Sequence, residues 1–67
     1  MNAIYQLFLD QVDEFCRRNE MTESALGKAA INDPNIIHET RRGRRPNLDL
    51  ITRIQNFMDE YDRAFVE

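Results

Sequence analysis

Hydrophobic residues recur at helical spacing in two long segments, one near each end of the chain. In the first segment, from about Ala3 to Asn19, they fall on one stripe: Ile4, Leu7, Phe8, Val12, Phe15 and Cys16. In the second they follow Asn47, a favourable N-cap residue, with the same spacing: Leu50, Ile51, Ile54, Phe57, Met58, Tyr61 and Phe65. Such spacing is typical of a helix with one buried face. The chain is therefore predicted to begin and end with amphipathic helices, the last over about residues 48–65.

A shorter helix is predicted to begin after Thr22, because threonine is a favourable N-cap residue. Glu23 adds a negative charge in the first turn, which suits the helix dipole. Met21 and Leu26 have the spacing of a hydrophobic staple. The predicted inner face consists mostly of small residues, which permit close approach of another helix: Leu26, Gly27, Ala29 and Ala30.

A second short helix is predicted to begin at Pro34, with Asp33 as its N-cap. Proline suits the first helical position because its missing N–H costs no hydrogen bond there. Gly43 is the expected left-handed C-cap, so this helix should end near Arg42. The residues expected to face inward are Ile37 and Thr40, with Ile36 partly covered.

Together these segments predict one all-α domain over residues 1–67, a compact bundle of four or five helices, because no segment alternates like a strand. One cysteine and one histidine leave too few soft ligands for a zinc site, and no metal or cofactor is expected. The N-terminus lacks the basic start of a signal peptide. No apolar run approaches the roughly 20 residues that cross a bilayer. A soluble cytoplasmic protein is therefore expected.

Charge is distributed unevenly along the chain. The net charge is −3, yet residues 41–53 carry five arginines and one aspartate. Residues 1–40 carry three basic and seven acidic side chains, and residues 54–67 carry one arginine and four acids. Binding depends on the field at the contact face, so the local charge matters more than the total. The stretch "RRGRRP" therefore favours contact with a polyanion, although an arginine cluster can also be an ordinary solvated surface.

Residues 21–57 resemble the lambda-repressor/Cro-type helix-turn-helix family. Leu26 and Ile37 stand eleven residues apart, and Gly43 follows six residues later, as in that motif. Gly27 occupies the position of the closest contact between the two helices, where the family has alanine or glycine. Thr40 departs from the pattern, since the family has leucine or isoleucine there. A threonine can be accommodated if its hydroxyl bonds back to a carbonyl one turn earlier.

The resemblance extends in particular to short bacterial and phage regulators, and it implies a sequence-specific DNA-binding transcription regulator. The helix-turn-helix would cover about residues 22–43, and the protein would be nucleoid-associated or phage-encoded. The third helix would lie in the major groove. Its outward positions are the candidates for base contacts: Asn35, His38, Glu39 and Arg42. A second group is expected to contact the DNA backbone: Ser24, Lys28, Arg41, Arg44 and Arg45.

Side-chain chemistry refines these assignments. Asn35 can read adenine and Arg42 can read guanine. Glu39 can accept a hydrogen bond from cytosine N4, or it can orient an arginine. Arg44 and Arg45 are expected to position the protein on phosphates without reading sequence. For His38 the alternative is an ordinary surface histidine, and for Asn35 a local turn former.

One recognition helix reads few base pairs, so a homodimer on two half-sites is expected, weak in free solution or induced by DNA. The candidate interface is the end of the last helix, with the start of the first helix as a further contributor: Met58, Tyr61 and Phe65. The alternative is that Tyr61 and Phe65 pack back on the first helix, against Ile4, Phe8 and Val12.

A second class of function stays open. The overall acidity favours a protein-interaction module on the same fold, such as an antitoxin or an adaptor that recruits RNA polymerase. The chain offers no nucleophile–base pair and no glycine-rich phosphate loop, so an enzyme is not expected.

Overall fold

A computed structural model of the chain describes residues 3–64. Over this part of the chain the structure contains four helices and no strand, which confirms the predicted all-α bundle: α1 (Ala3–Asn19), α2 (Glu23–Ile31), α3 (Ile36–Arg41) and α4 (Leu48–Ala64). No helix within these residues is long and apolar enough to span a bilayer. The prediction for Phe65 lies outside the described residues.

The long helices α1 and α4 run side by side in the same direction. Near their first residues, the Tyr5 hydroxyl donates a hydrogen bond to the carbonyl oxygen of Pro46 at 2.8 Å, just before α4 begins. Near their last residues, the Arg18 guanidinium donates to the Asp62 carboxylate at 2.6 Å. Helix α2 contacts all three other helices, and α3 packs against α1 and α2.

Every helix contributes to one hydrophobic core. Its buried members come from the predicted stripes of α1 and α4 and from the two short helices: Phe8, Val12, Phe15, Leu26, Ile36, Ile37, Ile51, Ile54 and Met58. The ring of Tyr61 lies against the ring of Phe15 edge to face, with centroids 5.5 Å apart. Packing of this kind supplies the main driving force for folding.

Two positions on the predicted stripe of α1 are not buried. Ile4 is 51% exposed and Leu7 is 62% exposed. Leu48, at the start of α4, is 66% exposed. Ala29 was predicted to lie on the inner face of α2, but it is exposed as well. The stripe of α1 is therefore a core face only from Phe8 onward.

The predicted N-caps of α2 and α4 are confirmed. The Thr22 hydroxyl accepts a hydrogen bond from the backbone N–H of Ala25 at 3.0 Å. The Asn47 side chain accepts one from the backbone N–H of Leu50 at 2.9 Å. Each bond satisfies a backbone donor that has no partner inside the helix.

The end of α1 carries a backbone conformation that the sequence pattern did not predict. Glu20 has a φ of +52°, in the left-handed region that favours glycine. The N–H of Met21 donates to the carbonyl of Cys16 at 3.0 Å and closes the helix end. Met21 and Cys16 both pack against the core. The tertiary packing of these two side chains therefore holds a glutamate in a conformation that is unfavourable for it.

Helix α3 begins at Ile36, two residues later than predicted. The Asp33 carboxylate accepts the N–H of Asn35 at 3.0 Å, so Asp33 closes a turn and does not cap the helix. Asn35 is the N-cap instead, and its carbonyl accepts the N–H of Glu39 at 2.9 Å. Ile36 is completely buried, where the sequence predicted partial cover. The side chain of Asp33 thus satisfies a backbone donor at the start of α3 that has no acceptor within the helix.

Candidate nucleic-acid interface

The approach of α2 to α3 depends on Gly27. A Cβ atom at this position would lie 2.3 Å from the backbone oxygen of Asp33 and 2.8 Å from Cγ2 of Ile36. The same turn is closed by the N–H of Asp33, which donates to the Gly27 carbonyl at 3.1 Å. Asn32 has a φ of +59° at the end of α2. Gly27 therefore lies at a close contact between the helices, where the sequence predicted it.

The inner face of α3 anchors it in the core. Ile36 and Ile37 are fully buried, and Thr40 is 6% exposed. The Thr40 hydroxyl donates to the carbonyl oxygen of Ile36 at 2.7 Å, as predicted from its type and position. The buried hydroxyl therefore has a partner, and threonine fits where a larger aliphatic residue was expected.

The outer face of α3 presents polar side chains to solvent. All four residues predicted to contact bases are exposed: Asn35, His38, Glu39 and Arg42. Nδ1 of His38 lies 3.7 Å from Oε1 of Glu23 on α2. The structure thus brings these side chains to one face, and their role toward DNA stays a prediction.

The corner after α3 has the geometry of a Schellman motif. The N–H of Arg44 donates to the carbonyl of Glu39 at 2.9 Å, and the N–H of Gly43 donates to the carbonyl of Thr40 at 3.2 Å. Gly43 has a φ of +115°, which confirms its predicted positive φ at the helix end. This geometry turns the chain sharply and brings Arg44 back beside Glu39.

Arg41 ties α3 to the other two N-terminal helices. Its guanidinium Nη2 lies 2.5 Å from Asp13 Oδ1 on α1 and 2.5 Å from Glu23 Oε2 on α2. The hydrogen bond to Glu23 is the main cause that raises the pKa of Arg41 above its ordinary value. Cys16 lies close by, and burial together with the charge of Glu23 raises the pKa of its thiol. A phosphate would have to compete with two carboxylates for Arg41.

Arg44 is also paired inside the protein. Its guanidinium contacts the carboxylate of Glu39, and Nη1 lies 3.3 Å from Asp33 Oδ2. The hydrogen bond to Glu39, followed by that to Asp33, raises the pKa of Arg44. Two of the four arginines in the cluster thus have carboxylate partners. The sequence allowed for an arginine beside Glu39, but spacing could not identify the other three partners, which lie on α1, on α2 and before α3.

The remaining predicted contacts to the DNA backbone are exposed. Ser24 and Lys28 lie on the surface of α2, and Arg45 lies on the corner. No ion pair between described residues involves Lys28, Arg42 or Arg45. These three cations therefore remain available to an anionic partner.

A cavity of about 320 Å³ opens beside the corner. The first turns of α1 form one wall, and the end of α3 with the corner forms the other: Tyr5, Gln6, Leu9, Thr40, Arg41, Gly43, Arg44 and Arg45. The sequence reasoning missed Tyr5 and Gln6. They stand about forty positions before the corner in the chain, so only the fold brings them to it.

Of the side chains predicted for a dimer interface, Met58 and Tyr61 pack within the chain. Met58 is 7% exposed and belongs to the core. Tyr61 is partly buried and packs on Phe15 of α1, the helix that the packing alternative predicted. Phe65 lies outside the described residues. Met58 and Tyr61 consequently leave little apolar surface for a second copy, and the dimer stays a prediction.

Comparisons with known proteins do not identify a family for this chain. No family model matches the chain, and no curated protein or solved structure matches it significantly.

Proposed function

We propose that the chain is a sequence-specific, double-stranded DNA-binding transcription regulator. In this proposal α2, α3 and the turn between them act as a helix-turn-helix, with α3 in the major groove and the corner on phosphates. Asn35, His38, Glu39 and Arg42 face base edges. The chain acts as a binding module without a catalytic role or a cofactor.

One observation carries the proposal. The exposed face of α3 continues into a corner where Arg42 and Arg45 have no carboxylate partner among the described residues. Lys28 of α2 adds a third such cation. The rest of the chain is acidic, so it repels phosphates and favours one docking orientation.

A salt titration tests the proposal directly. The full chain is titrated against a labelled mixed-sequence duplex at low and moderate salt, and binding is followed by fluorescence anisotropy. We expect a steep loss of affinity with salt, and Arg45→Ala should lower the log–log slope by about 0.9. Arg63→Ala is the matched control, because Arg63 is exposed on α4 and paired with Asp59. Absence of salt-dependent binding would refute the proposal.

Base readout is tested on a selected site. Arg42→Ala and Asn35→Ala should each cost about 1–3 kcal/mol on the cognate duplex and much less on random DNA. Equal losses on both duplexes would place these two residues on phosphates.

A DNA-induced homodimer is part of the proposal. The apolar side chains of Ile4 and Leu7 at the start of α1 are more exposed than those of Met58 and Tyr61 and add to the contact surface. Sedimentation with a duplex that contains two half-sites should give two chains per duplex. A strict 1:1 complex at saturating protein would exclude the dimer.

The second candidate is a protein-interaction module, an antitoxin or an adaptor that recruits RNA polymerase. The observation in its favour is that Arg41 and Arg44 are already neutralised by carboxylates, which leaves less free positive charge than the sequence suggests. The same salt titration separates the candidates, since an adaptor has no duplex affinity to lose.

A further inference from the structure

Glu39 is an unusual residue for a surface that faces DNA. Its side chain is 47% exposed on the outer side of α3, next to His38 and one turn after Asn35. A free carboxylate there would repel phosphates and the acceptor atoms of the major groove. Its presence therefore calls for a specific donor, either in the protein or on a base.

The protein supplies one donor through its backbone. The bond from the N–H of Arg44 to the carbonyl of Glu39 places these residues side by side, and it depends on the positive φ of Gly43. The Arg44 guanidinium then contacts the Glu39 carboxylate directly. The ion pair is thus a consequence of how α3 ends, and it holds the carboxylate on the outer face.

Charge balance assigns Arg44 to this pair and not to phosphate. Arg44 serves two carboxylates, those of Glu39 and Asp33, so the trio carries a net negative charge. A DNA phosphate would meet that negative charge before it reached the guanidinium. Arg45, the next residue, is exposed without an ion pair, so it can contact the backbone without this penalty.

We infer that Glu39, held by Arg44, is a specificity-determining residue that accepts a hydrogen bond from the exocyclic amino group of cytosine. This inference rests on the proposed DNA-binding function. A carboxylate accepts but cannot donate, and cytosine N4 is the donor that such a side chain reads. Arg44 is a positioning residue, because it acts by fixing Glu39. Guanine O6 and N7 and thymine O4 are acceptors, and adenine has its N7 acceptor beside its N6 donor, so the fixed carboxylate disfavours all three bases.

The experiment begins with a cognate site selected by the full chain from random duplexes. Affinity is then measured on duplexes that carry each of the four base pairs at every position of the site. The wild-type chain should prefer a C·G pair at one position by roughly 5- to 150-fold. Glu39→Ala should abolish that preference and leave the other positions unchanged, and Glu39→Gln should shift it toward adenine.

Arg44→Ala should weaken the same preference at the same position. It should have no further effect in the Glu39→Ala background, because a positioning residue cannot act without its partner. The matched control is Glu60→Gln, an exposed carboxylate on α4 that should leave every preference unchanged. Circular dichroism of each variant should show unchanged helix content.

Two results would overturn the inference, and they are distinguishable. If Glu39→Ala tightens binding to all duplexes alike and steepens the salt slope by about 0.9, Glu39 merely shields Arg44 from phosphate, and DNA binding still stands. If the wild-type chain binds no duplex in a salt-dependent manner, the proposed function fails and the inference fails with it.

Discussion

The long helices and α3 are held in the bundle by different means. Helices α1 and α4 have seventeen residues each, and each contributes three buried side chains to the core. Helix α3 has six residues, too few for a stable isolated helix. It is held by the fully buried side chains of Ile36 and Ile37 and by the ion pairs of Arg41 with α1 and α2.

The difference shows that two arginines of the cluster are ion-paired within the protein, whereas the other two have no ion pair among the described residues. Arg41 and Arg44 fix the position of α3 and of Glu39, whereas Arg42 and Arg45 have no ion pair among the described residues. The same short stretch, residues 41–45, thus supplies both the arginine that anchors α3 and the arginines that extend its polar outer face. Substitutions in the apolar core should therefore cost more unfolding free energy than substitutions in the ion pairs.

The largest effect is expected on the side of the long helices. Phe15→Ala removes a ring that is 1% exposed and contacts Tyr61, and it should cost about 3–5 kcal/mol of unfolding free energy. A domain of this size has about 3–10 kcal/mol in total, so the variant should be largely unfolded at 37 °C. Urea denaturation measures the loss. Phe57→Ala, at a partly buried ring, is the control and should cost less; equal losses would contradict the described core.

The next effect concerns the contact between α2 and α3. Gly27→Ala should destabilise the chain by about 1–3 kcal/mol, because the new Cβ meets the backbone of Asp33, which cannot move without α3. Amide chemical shifts should change in α3 and hardly at all in α4. Ser24→Ala, at an exposed position on the same helix, is the matched control and should leave the shifts of α3 unchanged. Shifts spread evenly over the chain would argue against a local clash.

Glu20→Gly should stabilise the chain by about 0.5–1 kcal/mol. Glu20 has a φ of +52°, and glycine adopts this conformation without the steric cost that a Cβ carries. Thermal unfolding measures the gain. Glu20→Ala removes the charge but keeps the Cβ, so an equal gain from alanine would assign the effect to charge.

Arg41→Gln should cost less than about 1 kcal/mol, because its ion pairs are partly exposed and screened by water. The cost should appear mainly as faster amide hydrogen exchange in α3. It should shrink at high salt, which screens the wild-type pairs. Arg63→Gln, within α4, is the control and should leave exchange in α3 unchanged. Equal exchange in both variants would show that Arg41 does not anchor α3.

The smallest effect is a pH dependence at the far end of the long helices. The hydrogen bond from Asn19, followed by that from Arg18, holds the pKa of Asp62 below its ordinary value of 3.8. A depressed pKa stabilises the fold above pH 3.8, and the contribution is lost as the pH falls toward the folded value. Asp62→Asn should therefore lose less stability than the wild type upon acidification. Glu60→Gln is the control. If the free energy of unfolding of Asp62→Asn fell with pH as steeply as that of the wild type, this contribution would be excluded.

Local signals in the sequence were sufficient for most of the helix framework. The N-caps at Thr22 and Asn47 and the positive φ at Gly43 were predicted from residue type, because each depends on bonds within a few residues. The start of α3 was predicted two residues too early. A capping side chain and a turn-forming side chain at Asp33 would both accept the N–H of Asn35. Only the position of the first i+4 backbone bond, from Glu39 to Asn35, shows where the helix begins.

In the candidate site, too, some features follow from local spacing and others only from the fold. Helical spacing alone predicted which residues of α3 face outward, since Ile37 and Thr40 mark the opposite side. The pairing of Arg41 with Asp13 and Glu23 joins three helices, so no spacing along the chain predicts it. The sequence by itself determined the four helices, the N-caps of α2 and α4 and the polar face of α3. Only the tertiary structure decided which arginines are paired and which stretch of the α1 stripe is buried, because both depend on distances between segments remote in sequence.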